Sequence, residues 1–282
     1  MSKPSRVSSF PQCKKMIVDF HTHVFSDKIA ERTVATLAAM ANIPPYTDGT
    51  VAGLTAALKR GGVDLAVALP VLTRPSQFEG VNRFAAALNE AGGGILSFGG
   101  IHPACEDLRG KMRCLKEMGF KGVKIHPDYQ ETFFDEDSYI EILCAARDLD
   151  LIVVTHAGVD DGYRDQPVRC TPDRVRNALE RVGSVKLVLA HMGGNRMAEE
   201  VLSKLAGLDL YFDTAYSMHE MERSLFCEFV RRHGADRILF ATDRPWRDIG
   251  EEVAILRSMG LSSEEEEKIF YRNAEELLGI KE

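Results

Sequence analysis

Eight short apolar runs rich in β-branched residues, with helical patterns between them, predict an α/β fold, a (β/α)8 TIM barrel with a short helical insertion after strand 1. Three observations support this prediction. The runs recur at fairly regular spacing along 282 residues, a length such barrels often use as one domain. They are nearly continuous rather than cleanly alternating, as strands covered on both faces are. Their ends collect the histidines. A doubly wound open sheet is the alternative, but no glycine-rich phosphate loop follows the first run.

Taken in order, residues 1–15 (MSKPSRVSSFPQCKK) read as a flexible lead-in and residues 16–282 as a single barrel domain. The first run is MIVDFHTH (16–23). The stretch from Val24 to Gly62 is longer than one crossover needs, and its IPPYTDG segment divides two helical patterns. A short lid helix therefore precedes the first barrel helix at 50–60, where Val51, Leu54 and Leu58 form a stripe that stops at Gly61-Gly62. The next runs are VDLAVALPV (63–71), GILSFGGIHP (94–103) and GVKIHP (122–127). A helical pattern at 139–148 leads to LIVVTHAG (151–158), and a helix from Arg174 to Val182 leads to VKLVLAHMGG (185–194). LYFDTAY (210–216), a helix from Met218 to His233 and ILFATDRPW (238–246) complete the series. Ser263-Glu264-Glu265-Glu266 fits a capping box that opens the last helix, with the acidic run as its first turn.

Composition narrows the function. Apolar content of 45% and charged content of 27% are those of an ordinary globular protein. A net charge of −7 argues against nucleic acid as the main partner. No apolar stretch reaches the roughly 18 residues of a membrane span, and the N-terminus lacks the apolar segment of a secretory signal. The six cysteines are scattered without a CxxC pair and read as free thiols in a reducing cytosol. The expectation is a cytoplasmic protein with a small-molecule substrate, and a homodimer as the default assembly.

In barrel enzymes the chemistry lies at the C-terminal ends of the strands. His21 and His23 end the first run, His102 the third, His126 the fourth, His156 the fifth, His191 the sixth and Asp243 the eighth. Of the eight histidines, only His219 and His233 fall in helical sequence. Strand alternation points His21 and His23 the same way, with Asp19 just behind them. Imidazole nitrogen and carboxylate oxygen suit a divalent metal that keeps one position open and acidifies a water molecule. The candidate ligands are His21, His23, His156 and Asp243, with Asp243 also placed to take a proton. His191 is a further ligand or a group that polarises the substrate.

Each residue also has a structural reading. His102 and His126 precede prolines and could merely cap their strands. Asp243 could cap the helix after Pro245. Lys124 could pair with a carboxylate inside the barrel. None of these readings explains the shared location.

The ordered motifs DFHTH (19–23), KGVKIHP (121–127), THAG (155–158), AHMGG (190–194), FATDRPW (240–246) and RNAEELLGI (272–280) resemble the amidohydrolase superfamily, and within it the amidohydrolase-related group. The resemblance covers nearly the whole chain. It implies a metal held by His21, His23, His156 and Asp243, with His191 catalytic or placed just behind the ligands. Members with two metals bridge them through a fourth-strand lysine or glutamate. Lys124 is near that position but sits two residues before the strand end, so one metal is expected, with His126 lining the site. Zinc is the expected ion, with manganese or another divalent ion as the alternative.

Such enzymes hydrolyse esters, lactones and amides or decarboxylate aromatic and enol acids, and the fold does not choose between them. The first expectation is a metal-dependent hydrolase of a small, carboxylated substrate, with Asp243 as general base. A decarboxylase is the second, and a non-catalytic metal-binding barrel the third. Lys124 and His126 are expected at the substrate, with Arg164, Arg169, Arg244 and Arg247 as candidates to hold its carboxylate and Tyr163 and Trp246 as aromatic walls. Asp19 is expected to orient the site from behind the ligands.

Overall fold

The computed structural model describes residues 16–280; the lead-in expected at 1–15, with Cys13, lies outside the described residues. Among the described residues nine strands are present: β1 (Val18–Thr22), β2 (Leu65–Ala68), β3 (Ile95–Ser97), β4 (Gly99–Gly100), β5 (Gly122–Ile125), β6 (Ile152–Thr155), β7 (Leu187–Leu189), β8 (Tyr211–Asp213) and β9 (Ile238–Leu239). Every ladder is parallel, in the sequential orders β1-β2-β3 and β4 through β9. The predicted third strand is β3 and β4 in two pieces. Buried Phe98 joins them and donates its N–H to Ala68 O at 2.9 Å.

The ring closes between the chain after β9 and β1. Phe20 N–H donates to Phe240 O at 2.9 Å, Asp243 N–H to His21 O at 2.8 Å and His23 N–H to Arg244 O at 2.6 Å. The fold is the expected (β/α)8 barrel. Most predicted runs extend past their strands at the C-terminal end, because the chain leaves the sheet there to build the barrel mouth.

The helices are α1 (Ala30–Ala41), α2 (Val51–Gly61), α3 (Phe78–Ala91), α4 (Leu108–Glu117), α5 (Asp137–Asp148), α6 (Pro172–Val182), α7 (Ala198–Lys204), α8 (Arg223–His233), α9 (Ile249–Ser258), α10 (Ser263–Glu267) and α11 (Asn273–Leu278). Helix α1 is the predicted insertion. Thr50 caps α2 by accepting from Gly53 N–H, and Gly62, at φ 70°, ends it. Two boundaries differ from expectation. Helix α8 begins at Arg223 rather than Met218, because Tyr216, at φ 51°, starts a turn that contains His219. The capping box uses Ser262 with Glu265, one residue earlier than predicted, since Ser262 has the extended backbone an N-cap requires.

One detail of β1 corrects the alternation argument. Between Asp19 and Thr22 the strand carries one residue more than β2, a bulge that breaks strict alternation. Asp19 therefore does not simply sit behind His21 and His23. Fully buried, it accepts from Thr242 Oγ1 at 2.6 Å, Thr242 N–H at 3.0 Å and His21 N–H at 3.3 Å, which ties β1 to the chain after β9. Burial pushes its carboxyl up to about 7, against these hydrogen bonds.

His233, at the end of α8, is structural. It stacks on Phe212, accepts from Gly207 N–H at 3.1 Å and donates to Leu210 O at 3.1 Å. Burial pushes its pKa down to about 4. Folding thus favours the neutral ring. The contribution is complete above the ordinary pKa near 6.5 and is lost as pH falls through about 4. Urea unfolding at pH 7 and pH 4.5 should show roughly 2–3 kcal/mol of acid-side loss from this residue. His233→Gln should be less stable at neutral pH but lose correspondingly less on acidification. An unchanged difference between the two pH values would remove the assignment.

Candidate metal centre

The strand ends open onto a cavity of about 530 Å³ lined by His21, His23, Lys124, His126, His156, His191 and Asp243, together with loop and lid residues. Two of these residues adopt left-handed backbone, His191 at φ 60° and Asp243 at φ 64°. Non-glycine residues there cost roughly 1–3 kcal/mol each, and such outliers cluster at functional sites. The glycine of THAG has a steric reason. Gly158 lies at φ 81°, and a Cβ there would stand 2.2 Å from Asn195 N in the AHMGG loop.

At the floor, the ligand atoms of His21, His23 and Asp243 lie within 4.8 Å of one another. His21 Nδ1 lies 2.8 Å from Asp213 Oδ2, and His23 Nδ1 lies 2.8 Å from Leu69 O. Both partners only accept, so each Nδ1 carries the proton and each Nε2 presents a lone pair. Those two Nε2 atoms face each other at 3.2 Å. Asp243 Oδ1 is 3.5 Å from the first and 3.1 Å from the second. Two imidazole nitrogens and a carboxylate oxygen held this close are a donor set that fits a divalent metal. Burial, then Lys124, holds His21 well below the ordinary imidazole value, which preserves its lone pair.

The opposite wall continues the pattern. His191 Nδ1 donates to Ala215 O at 2.9 Å, so its Nε2 accepts from His156 Nδ1–H at 3.0 Å. His156 Nε2 is then a buried lone pair without a hydrogen-bond partner, 4.0 Å from Asp128 Oδ2, which also lacks one. His126 stacks on His156 and on Tyr129, with its Nε2 at 3.4 Å from Asp160 Oδ2. His126, His156 and Asp160 form a second group with cation-binding geometry. Lys124 Nζ lies 3.2 Å from His21 Nε2, and burial pushes its pKa down to about 8 against the charges of Asp213 and Asp243.

The structure brings His21, His23 and Asp243 together, and sets His156 with His191, His126 and Asp160. Trp246 lines the cavity as expected. The arginines do not, which departs from the expectation that Arg164 and Arg244 hold a substrate carboxylate. Arg164 is exposed and paired with Asp161 at 2.8 Å. Arg244 is buried, with Nη1 donating to Arg247 O at 3.0 Å and lying 3.4 Å from Asp248 Oδ2. Arg169 lies 3.7 Å from Asp128, and Arg247 donates to Glu252 at 2.7 Å. A local carboxylate lies within ion-pair distance of each of the four. Asp248, rather than Asp243, caps the helix after Pro245. His102 has the capping role foreseen for it, accepting from Ala104 N–H at 3.1 Å.

Sequence reasoning missed Asp213, Asp160 and Asp128. Asp213 is the most consequential: it also accepts from His191 N–H at 2.9 Å and Ala215 N–H at 3.1 Å. Its signal was available, since LYFDTAY ends a strand with a carboxylate just as ILFATD does.

The family model described as Amidohydrolase matches residues 18–280. No curated protein matches. Among solved structures, 2,6-dihydroxybenzoate decarboxylase from Rhizobium is similar at 14% identity and a TM-score of 0.71, over 94% of this chain and 99% of that one. Dihydroxybenzoic acid decarboxylase from Polaromonas sp. JS666, solved with bound manganese and 2-nitroresorcinol, is similar at 15% identity and a TM-score of 0.70, over 94% and 97%. A Pseudomonas putida protein, provisionally a 2-pyrone-4,6-dicarboxylic acid hydrolase, is similar at 19% identity and a TM-score of 0.66, over 95% and 98%. Likeness at these identities shows the fold.

If the Asp213 carboxylate fixes the His21 tautomer, Asp213→Asn should weaken zinc binding by roughly 10- to 100-fold. His23→Ala should weaken it at least as much. Chelator competition on the folded proteins measures both, and wild-type affinity in both variants would dismiss the cluster as a metal site.

Proposed function

The chain belongs to the amidohydrolase family, and from that premise we propose that it is a metal-dependent hydrolase of a small substrate, cleaving an ester, lactone or amide bond over the His21–His23–Asp243 cluster. The observation that carries this reading is the geometry of Asp243. Its carboxylate stands 3.1 Å and 3.5 Å from two imidazole lone pairs and faces the cavity. His21, His23 and Asp243 would hold the ion; His156, the fourth ligand expected from sequence, is grouped instead with His126 and Asp160. Two nitrogens and a carboxylate oxygen favour zinc. A bound divalent cation would supply Lewis acidity to the reacting carbonyl and acidify a water molecule.

The protein's own groups do the rest. Asp243 takes the proton of the attacking water. Asp243 then hands that proton to the leaving group, while His191, its Nδ1 proton held by Ala215 O, accepts from His156 Nδ1–H at Nε2 and so orients that ring. Among the described residues Lys124 is the sole lysine or arginine lining the cavity, and Asp160 and Asp161 line it too. That balance favours a neutral substrate over the carboxylated one expected from sequence.

Non-oxidative decarboxylation of an aromatic or enol acid is the second reading. Lys124 is the observation that favours it, because a buried ammonium beside the cluster could pair with a carboxylate. The fold shared with solved decarboxylases is compatible with it.

A screen of the zinc- and manganese-loaded protein over esters, lactones, amides and aromatic acids in ¹⁸O-water separates the two. Hydrolysis places ¹⁸O in the product, whereas release of CO₂ without label uptake would replace this reading by the second. Asp243→Asn should lower turnover by roughly 10³-fold with the fold intact, metal content being measured alongside. Full activity in that variant would end its role as base.

A further inference from the structure

The outer half of the cavity differs in chemistry from its floor. Helix α1 contributes Ile29, Thr33, Leu37 and Ala41, spaced by four and therefore stacked in one stripe along the wall. Its other apolar stripe, Ala30 and Val34, is buried against the barrel. The facing wall is Val81 and Phe84 of α3. Leu37, Val81 and Phe84 are only half-buried, Val81 and Phe84 resting on the core with the rest of their surface open, and Ile29 remains 52% exposed. Leaving such surface open to water loses the burial free energy that a ligand would recover.

We infer that the substrate carries an extended apolar group, alkyl or aryl, lodged between the lid helix α1 and helix α3, with Leu37 and Phe84 setting specificity for it. This rests on the reading of the histidine–aspartate cluster as the reacting end. A volume of about 530 Å³ lies within the range of sites for drug-sized ligands, well beyond what one ester or amide group fills. A second anionic group is disfavoured, because the arginines nearby are committed to Asp161, Asp128, Asp248 and Glu252. The substrate class is a neutral, amphiphilic ester, lactone or amide whose polar end meets the floor and whose apolar end meets the lid.

The test is calorimetric binding of straight-chain hydroxamic acids, from acetohydroxamic to decanohydroxamic, to zinc-loaded and zinc-stripped protein. The hydroxamate reports on the floor and the chain on the wall. Affinity should rise roughly 3- to 4-fold per methylene until the cavity is full. Removing zinc should lower every member by a common factor without changing that slope. Leu37→Asp and Phe84→Asp should flatten the slope while acetohydroxamate binding persists. Ile29→Asp should do so in part, at a position exposed enough to leave folding untouched. A flat series in the wild type, or a slope that survives all three substitutions, overturns the inference. Acetohydroxamate binding that ignores zinc would instead count against the metal reading, and the slope in stripped protein would still decide the inference.

Discussion

The site depends on how the barrel closes. Asp243 reaches His21 and His23 because the chain after β9 lies against β1, held by backbone hydrogen bonds at 2.6–2.9 Å and by the buried clasp of Asp19 on Thr242. Asp19 and Thr242 are 223 residues apart, so closing this loop carries a large entropic cost. That cost is met by the whole parallel sheet and its helical jacket. Within it, the left-handed backbone of Asp243 lifts the carboxylate out of the strand direction and over the imidazoles. Without closure, the two halves of the cluster have no reason to meet.

Closure also creates an electrostatic problem. Three aspartates, a lysine and five histidines are packed at the floor and walls of one cavity, and burial penalises every charge there. The molecule limits the cost by holding His21, His126 and His156 well below the ordinary imidazole range and by pairing donors with fixed acceptors. Leu69, Ala215 and Asp213 each accept one Nδ1 proton and so decide which nitrogen faces the cavity. Asp213 binds three groups, one from β1 and two from the chain after β7 and β8, which makes it the organiser of the floor although it does not line the cavity. The polar interior is therefore preorganised, as a site that stabilises developing charge must be.

Around this floor the walls are apolar, and they come from elements the barrel itself does not need. Helix α1 is held beneath by little more than Ala30 and Val34, so it is among the less firmly anchored helices. On the proposed reading, barrel chemistry is separated from specificity: strand ends carry the reacting groups, while the insertion after β1 and helix α3 shape what can enter.

The sequence by itself determined the strand order, the insertion and the strand-end positions of His21, His23, His126, His156, His191 and Asp243. Those follow from local rules, since apolar runs make strands and residues at their ends lie at the barrel mouth whatever the side chains do next. Only the tertiary structure decided partners. Arg164, Arg169, Arg244 and Arg247 looked available for a carboxylate because sequence carries no distances; folded, each lies within reach of an aspartate or glutamate and turns away from the cavity. Asp213 was passed over for the same reason, its value lying in a histidine 192 residues earlier that closure brings to 2.8 Å. The extra residue that β1 carries against its neighbour after Asp19 is likewise invisible to any periodicity in IVDFHTH, whereas the clasp of Asp19 on Thr242 needs the closed barrel. Pattern specifies where a side chain starts; the closed sheet specifies what it meets.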